Sequence, residues 1–233
     1  MQNNRPDISL IIPTLNEEER IGSLLQQLIT VAGMEIIVSD GKSRDRTVEI
    51  CRQFPVKIVV SEPGRGRQLN VGAREARGNI LFFLHADSRV DYQVFIEIRK
   101  AVAIGHPWGC CTLGFDNSSL FYRMLAFFSN LRSRYLSSCY GDQGIFCDKD
   151  LFCKIGQFPT TVFMEDIGFS HKLRRLYRAY IVRGRVISST RRFQEGGTVK
   201  TLLKMQLAKL FFMLGMPPER MLEWYRSGYG GVK

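Results

Sequence analysis

The stretch that decides the fold is a run of apolar residues that ends in a histidine and a carboxylate: Ile80-Leu81-Phe82-Phe83-Leu84-His85-Ala86-Asp87. A short apolar run of this kind predicts a buried strand, which places Asp87 just beyond its carboxyl end. In an open α/β sheet, ligands bind along that edge. A carboxylate there can hold a divalent cation, and the cation can hold a diphosphate.

The segments before this run alternate between strand and helix patterns. We predict strands over 8–12, 35–41, 56–60 and 79–84, and helices over 16–28, 46–54 and 67–76. Asn16 is predicted to cap the first helix, with three acids in its first turn. Strands that alternate with helices predict a mostly parallel, Rossmann-like sheet with flanking helices. No GxGxxG motif follows the first strand, which disfavours a dinucleotide site.

The pattern changes after residue 90. We predict helices over 94–102, 119–134 and 199–214, a helix that opens near residue 165, and strands over 108–115, 145–147 and 179–188. The length fits one domain of ordinary size with a small appendage. We therefore predict a single domain over residues 1–195. Residues 196–233 form a helical extension that packs on this domain or on a membrane.

Charge and cysteine content limit the classes of partner and compartment. Lys and Arg outnumber Asp and Glu by 33 to 22, which favours anionic partners: nucleic acid, anionic lipid or a nucleotide-type substrate. The six cysteines form no CxxC pair and no zinc-type Cys–His spacing, so we expect reduced, mostly buried thiols. No signal peptide and no apolar run of ~20 residues is evident. These features predict a cytoplasmic protein that either stays in solution or lies on the cytoplasmic face of a membrane.

Four short segments follow one another in an informative order: Pro13-Thr14-Leu15-Asn16-Glu17, Ser39-Asp40-Gly41, His85-Ala86-Asp87 and Glu165-Asp166. In this order they resemble the motifs of the family-2 inverting glycosyltransferases, which have the GT-A fold. The resemblance extends from about residue 8 to 195. Gly141-Asp142-Gln143-Gly144 and Arg191-Arg192-Phe193 further resemble a small bacterial subgroup of transferases without an assigned substrate.

The resemblance implies a set of donor contacts. It makes Asp40 the contact to the base of a uridine nucleotide, whereas an Asp-Gly pair alone would indicate a turn. Segment 64–70 is a basic loop that opens a helix, so its N–H and guanidinium groups favour an anion such as diphosphate. The candidate nucleotide and donor contacts are Pro13, Thr14, Asn16, Glu17, Asp40, Arg65, Arg67, Gln68, His85, Ala86 and Asp87.

Asp87 is the candidate metal ligand, because it stands in the place of the second acid in the family's DxD motif. Mg²⁺ or Mn²⁺, held by one or two carboxylates and phosphate oxygens, would stabilise a departing diphosphate. His85 replaces the first acid of that motif. It either ligates the metal, which would suit Mn²⁺ better than Mg²⁺, or hydrogen-bonds the nucleotide.

Asp166 is the candidate catalytic base, because it matches the family's Glu-Asp pair. An inverting transfer needs one carboxylate that takes the proton of the acceptor hydroxyl. Without the resemblance, two acids at a helix N-terminus are a common favourable placement. The candidate contacts to acceptor or diphosphate are Asp142, Gln143, Glu165, Arg191 and Arg192.

Two basic, apolar stretches, residues 120–136 and 199–216, are predicted to be amphipathic helices. Cations beside an apolar face fit an interfacial helix, which would also suit an acceptor with a lipid-like tail. An ordinary core-packing helix with its lysines in water has the same pattern.

The sequence thus predicts a metal-assisted glycosyltransferase that moves a sugar from a nucleotide diphosphate donor, with UDP favoured, to an acceptor hydroxyl or carboxylate. The alternatives are a nucleotidyltransferase and a non-catalytic nucleotide- or lipid-binding module. A nucleotidyltransferase would have a glycine-rich basic loop directly after the first strand, where Pro13-Thr14-Leu15-Asn16 stands. Scattered arginines without a known motif disfavour nucleic acid as a partner.

Overall fold

The computed structural model describes residues 6–161 and 163–227, which form an eight-stranded sheet with helices on both faces. The strands are β1 (Ile8–Thr14), β2 (Met34–Asp40), β3 (Lys57–Val60), β4 (Ile80–Phe83), β5 (Arg89–Val90), β6 (Trp108–Phe115), β7 (Ile145–Asp148) and β8 (Tyr180–Ser188). The helices are α1 (Ile21–Leu28), α2 (Thr47–Cys51), α3 (Arg65–Arg74), α4 (Gln93–Ala103), α5 (Leu120–Leu136), α6 (Lys149–Lys154), α7 (Glu165–Leu173), α8 (Arg191–Gly196), α9 (Thr198–Met213) and α10 (Pro218–Ser227). A 3-10 turn covers Gly141–Gln143.

The strand order is β3-β2-β1-β4-β7-β6-β8-β5. Strands β3, β2, β1 and β4 are mutually parallel, whereas β7 is antiparallel to both β4 and β6. In the parallel half, Thr14 pairs with Asp40 and Ile11 pairs with Phe83. The carboxyl ends of β1, β2 and β4 therefore share one edge of the sheet, as the sequence predicts.

The central strand β4 explains why its sequence is continuously apolar. Phe82 packs on the face covered by α1 and α4, where its ring meets Phe95 edge-on at 5.9 Å between centroids. Phe83 points to the opposite face, among Phe152, Phe158 and Phe169. A strand buried on both faces has no polar side to alternate with. Each fully buried Phe contributes roughly 1.5–3 kcal/mol relative to an exposed one.

The predicted start of the first helix is wrong. Helix α1 begins at Ile21, and Asn16 lies before it with a left-handed φ of 56°. The side chain of Asn16 accepts a hydrogen bond from the backbone N–H of Arg44 at 2.8 Å, and the carboxylate of Glu18 accepts one from that of Arg46. The polar segment therefore docks onto the loop after β2 and does not extend the helix. The predicted apolar face of α1 is buried as expected.

Three short elements were not predicted, namely β5, α6 and α8, whereas α10 lies within the predicted C-terminal helical extension. Arg191-Arg192-Phe193 opens α8, and Phe193 is buried against Phe115 and Tyr122. Five of the six cysteines are buried and all six are unpaired, while Cys153 is exposed. Within residues 6–161 and 163–227, no helix has the length and apolar content needed to cross a bilayer.

Candidate active site

Asp40, at the end of β2, holds the first two strand ends together. Its carboxylate accepts hydrogen bonds from Thr14 Oγ1 at 3.0 Å, from Ser43 N at 2.8 Å and from Ser43 Oγ at 2.5 Å. The residue is 1% exposed. An ionised carboxylate offers about four acceptor positions, so roughly one is left for a ligand. The carboxylate of Asp40 thus fixes the conformation of the loop after β2, which is the predicted base-binding loop.

The loop after β1 is interlocked with the loop after β2. The backbone N–H of Asn16 donates to Ser43 Oγ at 2.9 Å, and that of Glu17 donates to Thr47 Oγ1 at 2.8 Å. Because both acceptors lie in the segment 43–47, the two loops form one rigid rim at the edge of the sheet. Pro13, which pairs with Ser39 in register, lies half-buried at the start of this rim.

Gln68 supports this rim from inside the protein. Its side-chain amide donates to the carbonyl oxygens of Thr14 and Ser39 at 2.8 and 2.9 Å, and the residue is 4% exposed. The sequence groups Gln68 with the donor contacts. Its burial instead makes it a brace between β1 and β2. Ala86, which is 4% exposed, is likewise enclosed.

Glu17 and Asp87 bring two carboxylates to neighbouring strand ends. Burial, and then the charge of Asp87, raises the pKa of Glu17. Among the described residues, Glu17 Oε2 is buried and accepts no hydrogen bond, and its nearest cationic neighbour is Arg20 Nη1 at 3.8 Å. These two acids fit a divalent cation that takes its other ligands from a diphosphate and water. The chain offers no protein-only cage, because no group of three or more metal-binding side chains occurs in the part that the structure describes.

His85 faces the other candidate acid. A Cβ placed on Gly141 would lie 2.7 Å from His85 Nε2 and 3.3 Å from Asp166 Oδ2, so the imidazole and the carboxylate border the same glycine. Burial, helped by the charges of Arg65 and Arg192, lowers the pKa of His85 well below its usual value. The imidazole is therefore neutral at physiological pH. It approaches Asp166 across the Gly141 backbone.

Arg65 lies near two sets of acids, the Glu165-Asp166 pair and Asp87. Its Nη1 lies 3.2 Å from Glu165 Oε1, and Glu165 is 4% exposed. Burial opposes the positive charge of Arg65, but the negative charges of Glu165, Asp166 and Asp87, in decreasing order of effect, raise its pKa. The charges of Asp87, which follows β4, and of Asp166, in α7, therefore both reach Arg65, while their place in one active site stays a prediction.

Gly66 makes this approach of α3 feasible. A Cβ there would lie 2.2 Å from the carbonyl oxygen of Pro159 and 3.2 Å from the Cβ of Glu165. Only glycine lets α3 pack so closely against the segment that carries the Glu-Asp pair. Arg67, one position on, is exposed, and its charge acts on Glu62. Of the two arginines proposed for the diphosphate, Arg65 is the one beside the acids.

Asp166 is held at the start of α7 by two backbone groups. Its Oδ2 accepts a hydrogen bond from Gly141 N at 2.8 Å, and its Oδ1 accepts one from Ile167 N at 2.8 Å. A small hollow opens beside it, lined by Arg65, Leu69, Phe83, Leu84, His85, Gly141, Ile145, Phe158, Glu165 and Asp166. The carboxylate of Asp166 therefore has a fixed position beside this hollow, which is one of the features expected of a general base.

The turn after α5 carries the next two candidates, and they differ. Gln143 is fully buried, and its Oε1 accepts hydrogen bonds from Arg132 Nη2 at 2.9 Å and Ser133 Oγ at 2.7 Å. The prediction that Gln143 contacts acceptor or diphosphate is corrected, because the side chain points inward and supports Arg132. Asp142 is partly exposed, and its Oδ1 accepts no hydrogen bond in the described part of the chain. Burial raises the pKa of Asp142.

Three further residues lie near Asp142 and Gln143 and were not among the predicted site residues: Arg132, Tyr140 and Lys209. The guanidinium carbon of Arg132 lies 3.4 Å from the centroid of the Tyr140 ring, and Lys209 Nζ lies 4.8 Å from it. Arg132 comes from α5 and Lys209 from α9, two helices that the sequence analysis reserved for a membrane or the core. The only local signal was a cation within an apolar helix.

Arg191 and Arg192 lie exposed at the start of α8. Arg191 Nε is 3.9 Å from Glu195 Oε1, one turn further along the helix. The charge of Arg191 also acts on Glu17, and that of Arg192 acts on His85. Helix α8 therefore brings both arginines toward the edge of the sheet formed by the carboxyl ends of β1, β2 and β4. An anionic leaving group would lie at this edge.

Comparison with known proteins gives one family and one fold. Residues 9–135 match the profile of glycosyl transferase family 2. The dolichol-phosphate mannosyltransferase of Pyrococcus furiosus is 30% identical over 107 residues, which cover 42% of this chain and 30% of that protein. The matched part is thus less than a third of the length of that curated relative.

Two solved structures share the architecture. S. aureus TarS 1–349 in complex with UDP has a TM-score of 0.61 at 20% identity, over 85% of this chain and 64% of that one. The mannosyltransferase PcManGT from Pyrobaculum calidifontis in complex with GDP-Man and Mn²⁺ has a TM-score of 0.63 at 20% identity, over 88% of this chain and 61% of that one. Likeness at this identity concerns the fold, and the predicted α/β, GT-A architecture is confirmed.

Proposed function

The chain belongs to glycosyl transferase family 2, and from that premise we propose that it transfers a sugar from a nucleotide diphosphate donor to an acceptor with inversion. The observation that supports the proposal is that the charges of both Asp87 and Asp166 act on the guanidinium of Arg65 at the edge of the sheet. Donor binding near the end of β4 and proton abstraction at the start of α7 would then take place in a single cleft.

The proposed reaction is a single displacement. Asp166 accepts the proton of an acceptor hydroxyl, the hydroxyl oxygen forms a bond to C1 of the sugar, and the bond between C1 and the diphosphate oxygen breaks. The electron pair of that bond leaves with the nucleoside diphosphate. An acceptor carboxylate would attack in the same way without a proton to remove. Arg191, Arg192 and Arg65 are the cations in this chain that would stabilise the departing diphosphate.

The donor side uses the rim at the ends of β1 and β2. We assign the base to the surroundings of Asp40 and favour uracil, since TarS is described in complex with UDP. Asp87 would hold Mg²⁺ or Mn²⁺, with Glu17 as an acidic neighbour. Such an ion, when bound, neutralises charge on the diphosphate. Mn²⁺ accompanies GDP-Man in the PcManGT structure, which supports a divalent ion.

Asp166→Asn tests the proposed base. The change keeps the size of the side chain but removes the basic oxygen, so the release of UDP from a UDP-sugar should fall about 100-fold or more. UDP binding, measured by calorimetry with Mn²⁺, should stay close to that of the unchanged protein. Asp150→Asn, an exposed acid in α6, is the matched control.

Either of two results would count against the proposal. Undiminished UDP release in Asp166→Asn would remove the base assignment. Failure of the unchanged protein to bind UDP or GDP, with and without Mn²⁺, would remove the donor site. Retained nucleotide binding without any turnover in the unchanged protein would support a non-catalytic binding module.

We also propose that α5 and α9 rest on an anionic membrane, which would suit a lipid-like acceptor. Both helices expose large apolar side chains: Leu120, Met124, Phe127, Phe128, Tyr135, Leu136, Val199, Leu203, Leu210 and Met213. The exposed cations Arg123 and Lys200 lie on the same helices. Apolar and cationic side chains together are what an interfacial helix requires. The name of the dolichol-phosphate mannosyltransferase relative refers to a lipid phosphate.

Vesicle sedimentation tests the membrane contact. Phe127→Ser with Phe128→Ser should lower binding to phosphatidylglycerol vesicles at least tenfold, because two exposed rings are lost. Leu176→Ser, an exposed apolar residue beyond α7, is the control. Equal sedimentation of the paired variant and the unchanged protein would refute this surface.

A further inference from the structure

Two cations converge on one aromatic ring beside the proposed base. Tyr140 directly precedes Gly141, whose N–H donates to Asp166 Oδ2. The Arg132 guanidinium lies 3.4 Å from the centroid of the Tyr140 ring, and Lys209 Nζ lies 4.8 Å from it. Both positive groups therefore stand next to the place where an acceptor must approach.

These cations have no acidic partner at contact distance. Within residues 6–161 and 163–227, neither Arg132 nor Lys209 forms an ion pair within 4.0 Å. Arg132 donates from Nε to the carbonyl oxygen of Ser138 and from Nη2 to Gln143 Oε1, which uses two of its five N–H donors. Asp142 lies near, but its buried Oδ1 accepts no hydrogen bond in the described part of the chain.

The charge of Lys209 is maintained despite its burial. Burial, together with the charge of Arg132, lowers the pKa of Lys209 to about 8, while Asp142 and Asp166 act in the opposite sense. The ammonium is therefore mostly protonated at neutral pH. A partly buried charge without a close partner costs stability, and an oxyanion from a ligand would compensate it.

We propose that Arg132 and Lys209 bind an anionic group of the acceptor, a carboxylate or a phosphate, next to the reacting atom. This inference rests on the proposed glycosyl transfer and adds the class of acceptor to it. Arg132 offers its unused N–H donors from α5, and Lys209 offers its ammonium from α9. Both cations lie over the ring of Tyr140.

The surroundings of the two cations indicate the rest of the acceptor. Phe128 and Tyr135 lie one helical turn from Arg132 on either side, and both are exposed, at 57% and 68%. Met213 lies one turn beyond Lys209 and is 76% exposed. An anionic group flanked by apolar side chains on both helices fits an amphiphile whose tail lies along α5 and α9.

The test is calorimetric titration with three soluble amphiphiles: decyl phosphate, decanoate and decanol. The unchanged protein should bind decyl phosphate or decanoate at least tenfold more tightly than decanol. Lys209→Met and Arg132→Met should each weaken binding of the anionic probe about tenfold or more, with decanol unaffected. Lys209→Arg should restore part of the lost affinity.

Matched controls separate this site from general charge effects and from unfolding. Lys200→Met on α9 and Arg123→Met on α5 each remove an exposed cation and should leave the affinity within twofold. Thermal unfolding and UDP binding of each variant check the fold and the donor site. The tighter of the two anionic probes identifies phosphate or carboxylate as the preferred group.

The inference fails if decanol binds the unchanged protein as tightly as both anionic probes. It also fails if Lys209→Met and Arg132→Met both keep the affinity for the anionic probe within twofold. In both cases, intact UDP binding would leave the proposed transfer standing. Absence of nucleotide binding in the unchanged protein would instead remove the proposed function, independently of the amphiphile result.

Discussion

Two walls border the proposed cleft: the donor wall, formed by the loops after β1 and β2, and the opposite wall, formed by α5, the 3-10 turn, α7 and α9. They differ in how their charged groups are paired. On the donor wall, Asp40 accepts three hydrogen bonds, from Thr14 and Ser43. On the opposite wall, Asp142 keeps a buried oxygen without a hydrogen bond, and Lys209 has no acid within 4.0 Å among the described residues. The carboxylate of Asp40 is satisfied within the protein, although Glu17 Oε2 in the same rim accepts no hydrogen bond from the described residues, whereas the opposite wall lacks an anion beside Lys209.

The difference shows how each wall is specified. The donor wall joins loops that directly follow neighbouring parallel strands, so backbone register alone brings its groups together. The opposite wall joins α5, the 3-10 turn, α7 and α9, which meet only when the helices pack. Rigid hydrogen bonding suits a nucleotide that is the same in every turnover. Unpaired charge favours binding over stability, a common compromise at functional sites.

The largest effect is expected when the donor wall is broken. Asp40→Ala removes the acceptor of three hydrogen bonds and should lower the free energy of unfolding by about 3 kcal/mol. The loss of order in the rim should also weaken UDP binding. Urea unfolding measures the first effect and calorimetry the second.

Glu19→Ala is the control in the same loop, because Glu19 forms only a surface ion pair with Arg20 at 3.5 Å. Such a pair contributes about 0–1 kcal/mol. If Asp40→Ala were as stable as Glu19→Ala, the donor wall would not be the rigid one.

The opposite sign is expected on the second wall. Lys209→Met should raise the free energy of unfolding at pH 7 by about 2 kcal/mol, because the folded state lowers the pKa of Lys209 to about 8. Below pH 8 the loss of stability caused by the buried charge of Lys209 is fully present. Between pH 8 and the ordinary lysine pKa the unfolded state binds more protons, so the unchanged protein gains stability as pH rises.

The stability difference between Lys209→Met and the unchanged protein should therefore shrink from pH 7 to pH 10.5. Urea unfolding at several pH values measures it, and Lys200→Met is the exposed counterpart on the same helix. A constant difference across this range would mean that Lys209 is not strained by burial.

The smallest effect is expected at the junction of the walls, where Gly141 lies between His85 and Asp166. Gly141→Ala would place a methyl group 2.7 Å from His85 Nε2 and 3.3 Å from Asp166 Oδ2. UDP release should fall about tenfold, which corresponds to ~1.4 kcal/mol, because a small displacement of the base lowers the rate. UDP affinity should change little, since the donor rim lies elsewhere.

His85→Ala removes the closer of the two clashing groups. The double variant His85→Ala/Gly141→Ala should therefore lose less activity than the two single changes combined, as a double-mutant cycle measures. Strictly additive losses would place His85 outside the junction.

Local apolar patterns in the chain were enough to predict the sheet and the ends of its central strands. Contiguous apolar runs fix where β1, β2 and β4 end, and parallel register then places Asp40 and Asp87 at one edge. The Glu-Asp pair at 165–166 also opens a helix, as predicted, because acids favour that position. The predicted sheet could be derived in this way, whereas the role of Asp166 beside Asp87 rests on the resemblance to the family and stays a prediction.

Which polar groups face the cleft depended on how distant segments pack against each other. Asn16 joins a loop instead of capping a helix, Gln68 and Gln143 turn inward as braces, and Lys209 reaches the site from a distant helix. These outcomes depend on how α3, α5 and α9 pack against the sheet. Strand position follows from local apolar patterns, whereas the direction of a polar side chain is set by neighbours that are distant along the chain.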